Sequence, residues 1–339
     1  MRAAVLDHDG LKVREWPEPE PGPGEALISL TKVGICGSDT HFVIDGSART
    51  AFMPIVLGHE PCGYVEALGP DTEGPALGTR VAIVPLITCG HCDRCRNGKS
   101  VLCKQRLCIG ADTHGAWADL TTVPVSQLIE APESLSDEHV AVATDSVATA
   151  YHAVSTQGRV REGSRVAVWG TGGLGLSAVG IAAALGASDV IAVDLREEAR
   201  EWAMESGATA AYHPDEALPE ITKLGGVDTA LEFVGRSVTT EGAVRSLDDG
   251  GRAVIVGVGH EPASAGRLMT FVLREREMVG SYGADRSEVE AVIKMMATGT
   301  LHLPRVVGDV ISIEDVAEGV ARVARGDTGG SRIVVDVRA

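Results

Sequence analysis

Between Gly34 and His41 the chain reads Gly-Ile-Cys-Gly-Ser-Asp-Thr-His, so a thiol (Cys36), a hydroxyl (Ser38), a carboxylate (Asp39) and an imidazole (His41) fall within six positions. Thiolate and imidazole are good ligands for a borderline-soft metal ion, and hydroxyl and imidazole are groups that pass protons. A second group, Leu57-Gly-His59-Glu60, adds another imidazole and another acid, and a single carboxylate follows much later at Asp145. Each also has an ordinary structural reading. A lone cysteine is usually a buried packing residue, Asp145 could cap a helix before Ser146, and His41 could be an exposed loop histidine.

The spacing Cys89-x-x-Cys92-x-x-Cys95, with Cys103 eight residues on, is more specific. Short spacings let backbone turns converge four sulfurs on a tetrahedral ion, and four thiolates leave no open coordination position, so zinc here is expected to be structural. An iron–sulfur cluster and free thiols are the alternatives. Four of the seven cysteines lie within these fifteen residues, which points to a metal in a reducing compartment and not to disulfides. Cys62 and Cys108 fall outside the pattern and read as small core residues.

A third constellation is Gly170-Thr-Gly172-Gly173-Leu174-Gly175, which follows the apolar strand candidate Ser164–Gly170 and opens a helix of small residues, Leu174–Leu185. In that context the first glycine permits a tight turn, the second admits a pyrophosphate to the backbone, and the third lets helix and strand approach. The helix N-terminus offers unpaired N–H groups to the anion. Asp194, nineteen residues beyond Gly175, ends the next strand candidate, where a carboxylate would accept ribose hydroxyls. A 2′-phosphate beside it would meet like charge, at a cost on the order of 4 kcal/mol per unit pair at about 4 Å and an effective dielectric near 20. NAD is therefore expected over NADP, with Arg196 and Arg200 as the cations that could reverse the preference.

These groups need scaffolding. Ala3–Leu6, Leu11–Glu15, Ala26–Val33, Gly63–Leu68 and Arg80–Pro85 read as short strands of a β-rich, barrel-like domain, and the prolines of residues 16–24 make a surface loop. From Asp145 the pattern alternates: strands at Asp189–Asp194, Ala208–Tyr212, Asp228–Val234, Arg252–Val256 and Met278–Tyr282, with helices between several of them, including Arg196–Ser206. That alternation predicts a parallel, doubly wound α/β sheet. The chain closes with helices at Ser287–Ala297 and Glu314–Ala324 and a strand at Arg332–Val337. At 339 residues it can hold two domains, and its net charge of −17 disfavours nucleic acid and anionic membrane as partners. With no apolar run of signal-peptide or membrane-span length, a cytoplasmic protein is expected.

Gly34-Ile-Cys36-Gly-Ser38-Asp39, Gly58-His59-Glu60, the Cys89–Cys103 lobe, Asp145-Ser-Val-Ala-Thr-Ala-Tyr151 and Gly170–Gly175, in this order, resemble the medium-chain, zinc-dependent alcohol dehydrogenases over essentially the whole length. The resemblance implies a GroES-like catalytic domain of residues 1–146 completed by 283–339, and a Rossmann NAD-binding domain of residues 147–282. It implies a catalytic zinc on Cys36 and His59, with Asp145 where many members have cysteine. One thiolate, one neutral imidazole and one carboxylate still neutralise the ion, and a carboxylate binds zinc at about 2.0–2.2 Å.

By the same resemblance, Asp39 orients His59, Glu60 assists ligand exchange, Ser38 and His41 relay the substrate proton, Thr149 contacts nicotinamide and Arg332 reaches the pyrophosphate. Gly37 departs from members with a cation at that place. The expected activity is hydride transfer between a small alcohol, aldehyde or ketone and NAD, with two zinc ions per chain, in a homo-oligomer (tetramer or dimer). A polyol or sugar-alcohol dehydrogenase, a zinc-independent C=C reductase and a non-enzymatic nucleotide-binding protein are the competing readings.

Overall fold

Glu25–Gly34 alternates between buried and partly exposed residues, the two-residue period of a strand with a core on one face. In the computed structural model, which describes residues 1–339, it pairs antiparallel with Glu60–Leu68, with Leu120–Pro124 and with Arg332–Asp336. The register sets Gly34 opposite both Glu60 and Val334. The end of one strand and the beginnings of two others thus deliver Cys36, His59–Glu60 and Arg332 to one edge of a seven-stranded sheet. Ile28, Leu30, Val33, Ile35, Trp117 and Ile333 pack beneath that edge. Burying each such side chain contributes about 1.5–3 kcal/mol, so the edge sits on firm packing.

The chain divides into two units, the first being Met1–Ser146, Ala284–Ala297 and Val307–Ala339, and the second Val147–Gly283 with Thr298–Val306. Residues 298–306 thus differ from the expectation that everything after Gly283 completes the first domain. Within the second unit Leu303 lies against Gly180, where an added Cβ would come 2.6 Å from its Cδ2. Arg305 also bonds Glu205 at 2.7 Å and stacks over the Trp202 ring.

The second unit is built on six parallel strands in the order Ala210–Tyr212, Asp189–Val193, Arg165–Trp169, Val227–Glu232, Leu247–Ile255, Glu277–Gly280. Arg165–Trp169 lies between the strand that follows it and the one that comes third after it. That reversal of winding opens a crevice at the carboxyl ends of the strands. The Leu247–Ile255 strand starts five residues before the expected Arg252, across a register shift; Asp248, Asp249 and Gly250 hide it from a hydrophobic pattern.

The stretch before the second unit is a helix, Asp137–Val142, capped by Ser136, whose hydroxyl accepts from the His139 N–H at 3.4 Å. It widens into a π-helical turn at Ala143–Val147 and continues as Ala148–Tyr151 and a second π turn, His152–Gln157. No helix is long and apolar enough to cross a membrane.

Candidate active site

Asp145 sits in the first of these π turns, inside a continuous helical run and not at a helix start, so it is not a cap. Such turns occur mostly as single-turn insertions inside α-helices, frequently at functional sites, where the extra residue re-aims a side chain without ending the helix. Here the carboxylate comes 3.5 Å from Cys36 Sγ and 3.8 Å from His59 Nε2. Ligand atoms of Cys36, His59, Glu60 and Asp145 all lie within 4.8 Å of one another. Thiol, imidazole and carboxylate gathered this closely form a donor set that suits zinc.

The turn Gly34–His41 arranges this set. The Asp39 N–H bonds the Cys36 carbonyl at 3.1 Å, so the chain folds back into the short helix Asp39–Val43. The Asp39 carboxylate, 1 % exposed, accepts the Cys36 N–H at 2.8 Å and faces His59 Nδ1 at 3.4 Å. With the Nδ1 proton engaged there, the Nε2 lone pair points towards Asp145 and Cys36. Burial opposes a charge on His59, but Asp39 and then Cys36 outweigh it and hold its pKa well above the ordinary value.

Arg332 has partners in this site that the sequence did not point to. Its Nε and Nη2 donate to the two oxygens of Glu60 at 3.0 and 2.5 Å, and Nη2 also donates to Cys36 Sγ at 3.4 Å. Burial pushes the Glu60 carboxyl up to about 7, and the guanidinium pulls it the other way. Two donors on one carboxylate make the ionised pair the form that this geometry holds. Arg332 was expected at a pyrophosphate; in this structure its hydrogen bonds go to Glu60 and Cys36. The available signal was the run of apolar residues after it, which marks a strand start but names no partner.

Ser38 is exposed, with Oγ 3.4 Å from His59 Nε2. His41 Nδ1 is taken by Ser47 Oγ at 2.8 Å and Asp45 Oδ2 at 3.3 Å. Ser38 and His41 meet only through the backbone, where the His41 N–H donates to the Ser38 carbonyl at 3.1 Å. Thr149 is buried in the helix Ala148–Tyr151.

In the cysteine lobe, Cys92 Sγ lies 3.5 Å from Cys95 and 3.9 Å from Cys103, and Cys89 lies 3.5 Å from Cys103 and 3.9 Å from Cys95. Sulfurs at about 2.3 Å from a tetrahedral zinc would be about 3.8 Å apart, so the four thiols fit that ion. N–H groups of Cys92 and Gln105 point at Cys89 and Cys103 sulfurs at 3.4 and 3.3 Å. A backbone bond from Cys95 leads the effects that bring the Cys92 thiol down to about 6.

The glycine turn divides its labour by position. Gly170 has φ +86°, and a Cβ on it would meet Val234 at 2.5 Å. A Cβ on Gly175 would fall 1.9 Å from the Gly170 carbonyl, so only glycine lets the helix Gly173–Ala184 begin there. Gly172 caps that helix and has nothing within 4 Å of an added Cβ, the open approach that a pyrophosphate requires. Gly173 and Leu174 form its first turn. Asp194 Oδ2 accepts the Thr171 N–H at 2.9 Å, which ties the carboxylate to this turn, and Oδ1 accepts the Arg196 N–H at 2.9 Å.

Comparison with known proteins agrees with both halves of this architecture. Residues 22–133 match the alcohol dehydrogenase GroES-like domain, and residues 173–298 match the zinc-binding dehydrogenase domain. An alcohol dehydrogenase of Geobacillus stearothermophilus is 31% identical, over 99% of this chain and 100% of the relative. An L-threonine 3-dehydrogenase of Vibrio parahaemolyticus is 28% identical over 96% of each chain. Among solved structures, an NAD-dependent alcohol dehydrogenase superposes with a TM-score of 0.91 at 30% identity, covering 99% of this chain and 100% of the other.

Proposed function

The chain belongs to the medium-chain zinc-dependent alcohol dehydrogenase family, and on that premise we propose that it is an NAD-linked alcohol dehydrogenase or carbonyl reductase with one zinc in each cluster. The observation that carries this reading is the convergence of Cys36, His59 and Asp145 with Glu60 inside 4.8 Å. When bound, zinc supplies Lewis acidity towards an alcohol or carbonyl oxygen, and nicotinamide accepts or returns the hydride.

The residues do the rest. Cys36 thiolate and Asp145 carboxylate balance a dication, and Arg332 balances Glu60, so the fourth donor adds no net charge. Asp39 fixes the His59 tautomer. Ser38 Oγ, exposed beside the cluster, takes up the substrate's hydroxyl proton. His41, whose Nδ1 is occupied by Ser47 and whose side chain does not meet Ser38, offers Nε2 as a second proton acceptor beyond it. The glycine turn from Gly170 to Gly175 holds the pyrophosphate, and Thr149 lies beside nicotinamide, as in the family.

Preference for NAD is supported by Asp194, whose side chain is 11 % exposed and held in place by Thr171. The nearby cations are already engaged: Arg196 by the Asp194 carboxylate, Arg200 by the carbonyls of Asp194 and Leu195. The free thiols support a reducing, cytoplasmic setting. The exposed Leu268, Met269, Val272 and Leu273 support a homo-oligomer.

The relatives are alcohol and threonine dehydrogenases, which does not favour the polyol reading. Steady-state kinetics with NAD and NADP over benzyl, aliphatic, amino-alcohol and polyol substrates tests this. NAD with a monohydric or amino alcohol should give the highest kcat/KM; a polyol or NADP in that place overturns the assignment. In Asp145→Ala, activity should fall at least about 100-fold, the upper range for disturbing even a supporting partner of a metal ligand. One of two zincs should be lost, and retention of both removes Asp145 from the ligand set.

A further inference from the structure

The second unit contains a cavity of about 740 Å³ that the chemistry above does not use. It is bounded by Gly225 and Gly226, just before the Val227–Glu232 strand, by Leu247, which opens the next strand, and by Arg276, just before Glu277–Gly280. These strands run parallel to Arg165–Trp169, whose carboxyl end leads into the glycine turn. The cavity therefore lies at the opposite edge of the sheet from the nucleotide turn.

Four guanidinium groups line it, those of Arg245, Arg267, Arg274 and Arg276, against a single carboxylate, Glu241. The acid is already shared, 3.8 Å from Arg245 and accepting from Ser264 Oγ at 3.2 Å. Arg274 pairs with Asp249 at 3.1 Å. Arg267 has no ion pair. Arg276 donates through Nη2 to the Leu247 carbonyl, while its Nε is buried without a hydrogen-bond partner. Burial, and then the charge of Arg274, draw the Arg276 pKa below its ordinary value. A buried guanidinium N–H without an acceptor costs free energy, and adjacent like charges add to it. In a chain of net charge −17, this local excess of cations needs a reason.

The local backbone gathers these cations. Arg267, Thr270, Phe271 and Arg274 follow the i, i+3, i+4, i+7 spacing of one helix face, on and beside the helix Leu268–Leu273. The apolar Leu268, Met269, Val272 and Leu273 occupy its other, exposed face. Glu275 then takes a left-handed conformation (φ +48°), and Arg274 and Arg276 on either side of it both line the cavity.

We propose that this cavity binds a small multivalent oxyanion, one molecule per chain, at a site separate from the nucleotide turn. Guanidinium forks match phosphate and carboxylate oxygens, and the volume lies within the roughly 300–1,000 Å³ of small-molecule sites. The test is isothermal titration of inorganic pyrophosphate, and separately of citrate, into the full-length protein saturated with NAD, in about 0.1 M chloride, where the screening length is about 10 Å.

At least one of the two anions should bind, and the tighter one identifies the recognised group. Arg267→Glu, at an exposed residue without an ion pair, should weaken that binding by about tenfold or more and leave alcohol turnover unchanged. Arg276→Gln should weaken it as strongly. Because Arg276 also holds the Leu247 carbonyl, Arg267→Glu decides if the other variant misfolds. Absence of binding by both anions, or equal affinity in Arg267→Glu, overturns the proposal.

Discussion

Gly34 shows how much of the proposed metal cluster depends on a residue with no chemistry of its own. A Cβ there would lie 2.0 Å from Glu60 Oε2 and within 3.0 Å of its Cβ, so the carboxylate owes its place to a missing side chain. Gly34→Ala should drive Glu60 away from Arg332. Parting a buried ion pair costs about 3–5 kcal/mol, because it strands a charge. Calorimetry should show a large fall in Tm, and metal analysis a loss of the zinc held by Cys36 with the lobe zinc retained. An unchanged Tm would refute this account of Gly34. Cys36 and His59 stood out as candidates because ligand types survive in one dimension, and the family resemblance implied their pairing. The partnership of Glu60 with Arg332, 272 residues apart, was not legible, because an arginine in a list has no address.

At the scale of elements, the glycine turn separates ligand space from packing space, which a sequence motif merges. Gly175→Ala would press a methyl against the Gly170 carbonyl at 1.9 Å, whereas Gly172→Ala meets no protein atom within 4 Å. Both should weaken NADH binding, followed by fluorescence titration, by about tenfold or more, since both disturb the backbone proposed to approach the pyrophosphate. Only Gly175→Ala should also lower Tm. Full NADH affinity in Gly172→Ala would mean that the open space beside it is not where phosphate sits. The π turn carrying Asp145 teaches the converse. Its residues, Ala-Thr-Asp-Ser-Val, carry no sequence signal that separates a π turn from an ordinary helical turn.

For the molecule as a whole, the cysteine lobe is the segment least able to stand without an ion. Its helix Asp93–Arg96 buries no residue, and it is fastened through Ser100 and the Val101 N–H to Asp285, the latter at 3.1 Å. With so little apolar burial, the proposed zinc is expected to supply much of this lobe's folding free energy. Cys103→Ser should lower Tm and open residues 88–105 to proteolysis, and the zinc at Cys36 should remain. A lobe that stays protease-resistant after complete removal of its ion would contradict that dependence.

The one-dimensional pattern determined the α/β class, the β-rich and doubly wound halves, the close-spaced cysteines and the glycine motif, while the grouping of Cys36 and His59 with the distant Asp145 was implied only by the family resemblance. Periodicity, ligand type and short spacing are local properties, and local properties can be read in order along a chain. Tertiary structure alone decided that Arg332 neutralises Glu60, that Ser38 and His41 meet only through backbone, that residues 298–306 pack with the second unit, and that four arginines share a cavity. The first and last of these depend on which strand ends the register brings together, and register is set by the packing of the whole sheet; the other two depend on where a turn and a segment outside the strands come to rest.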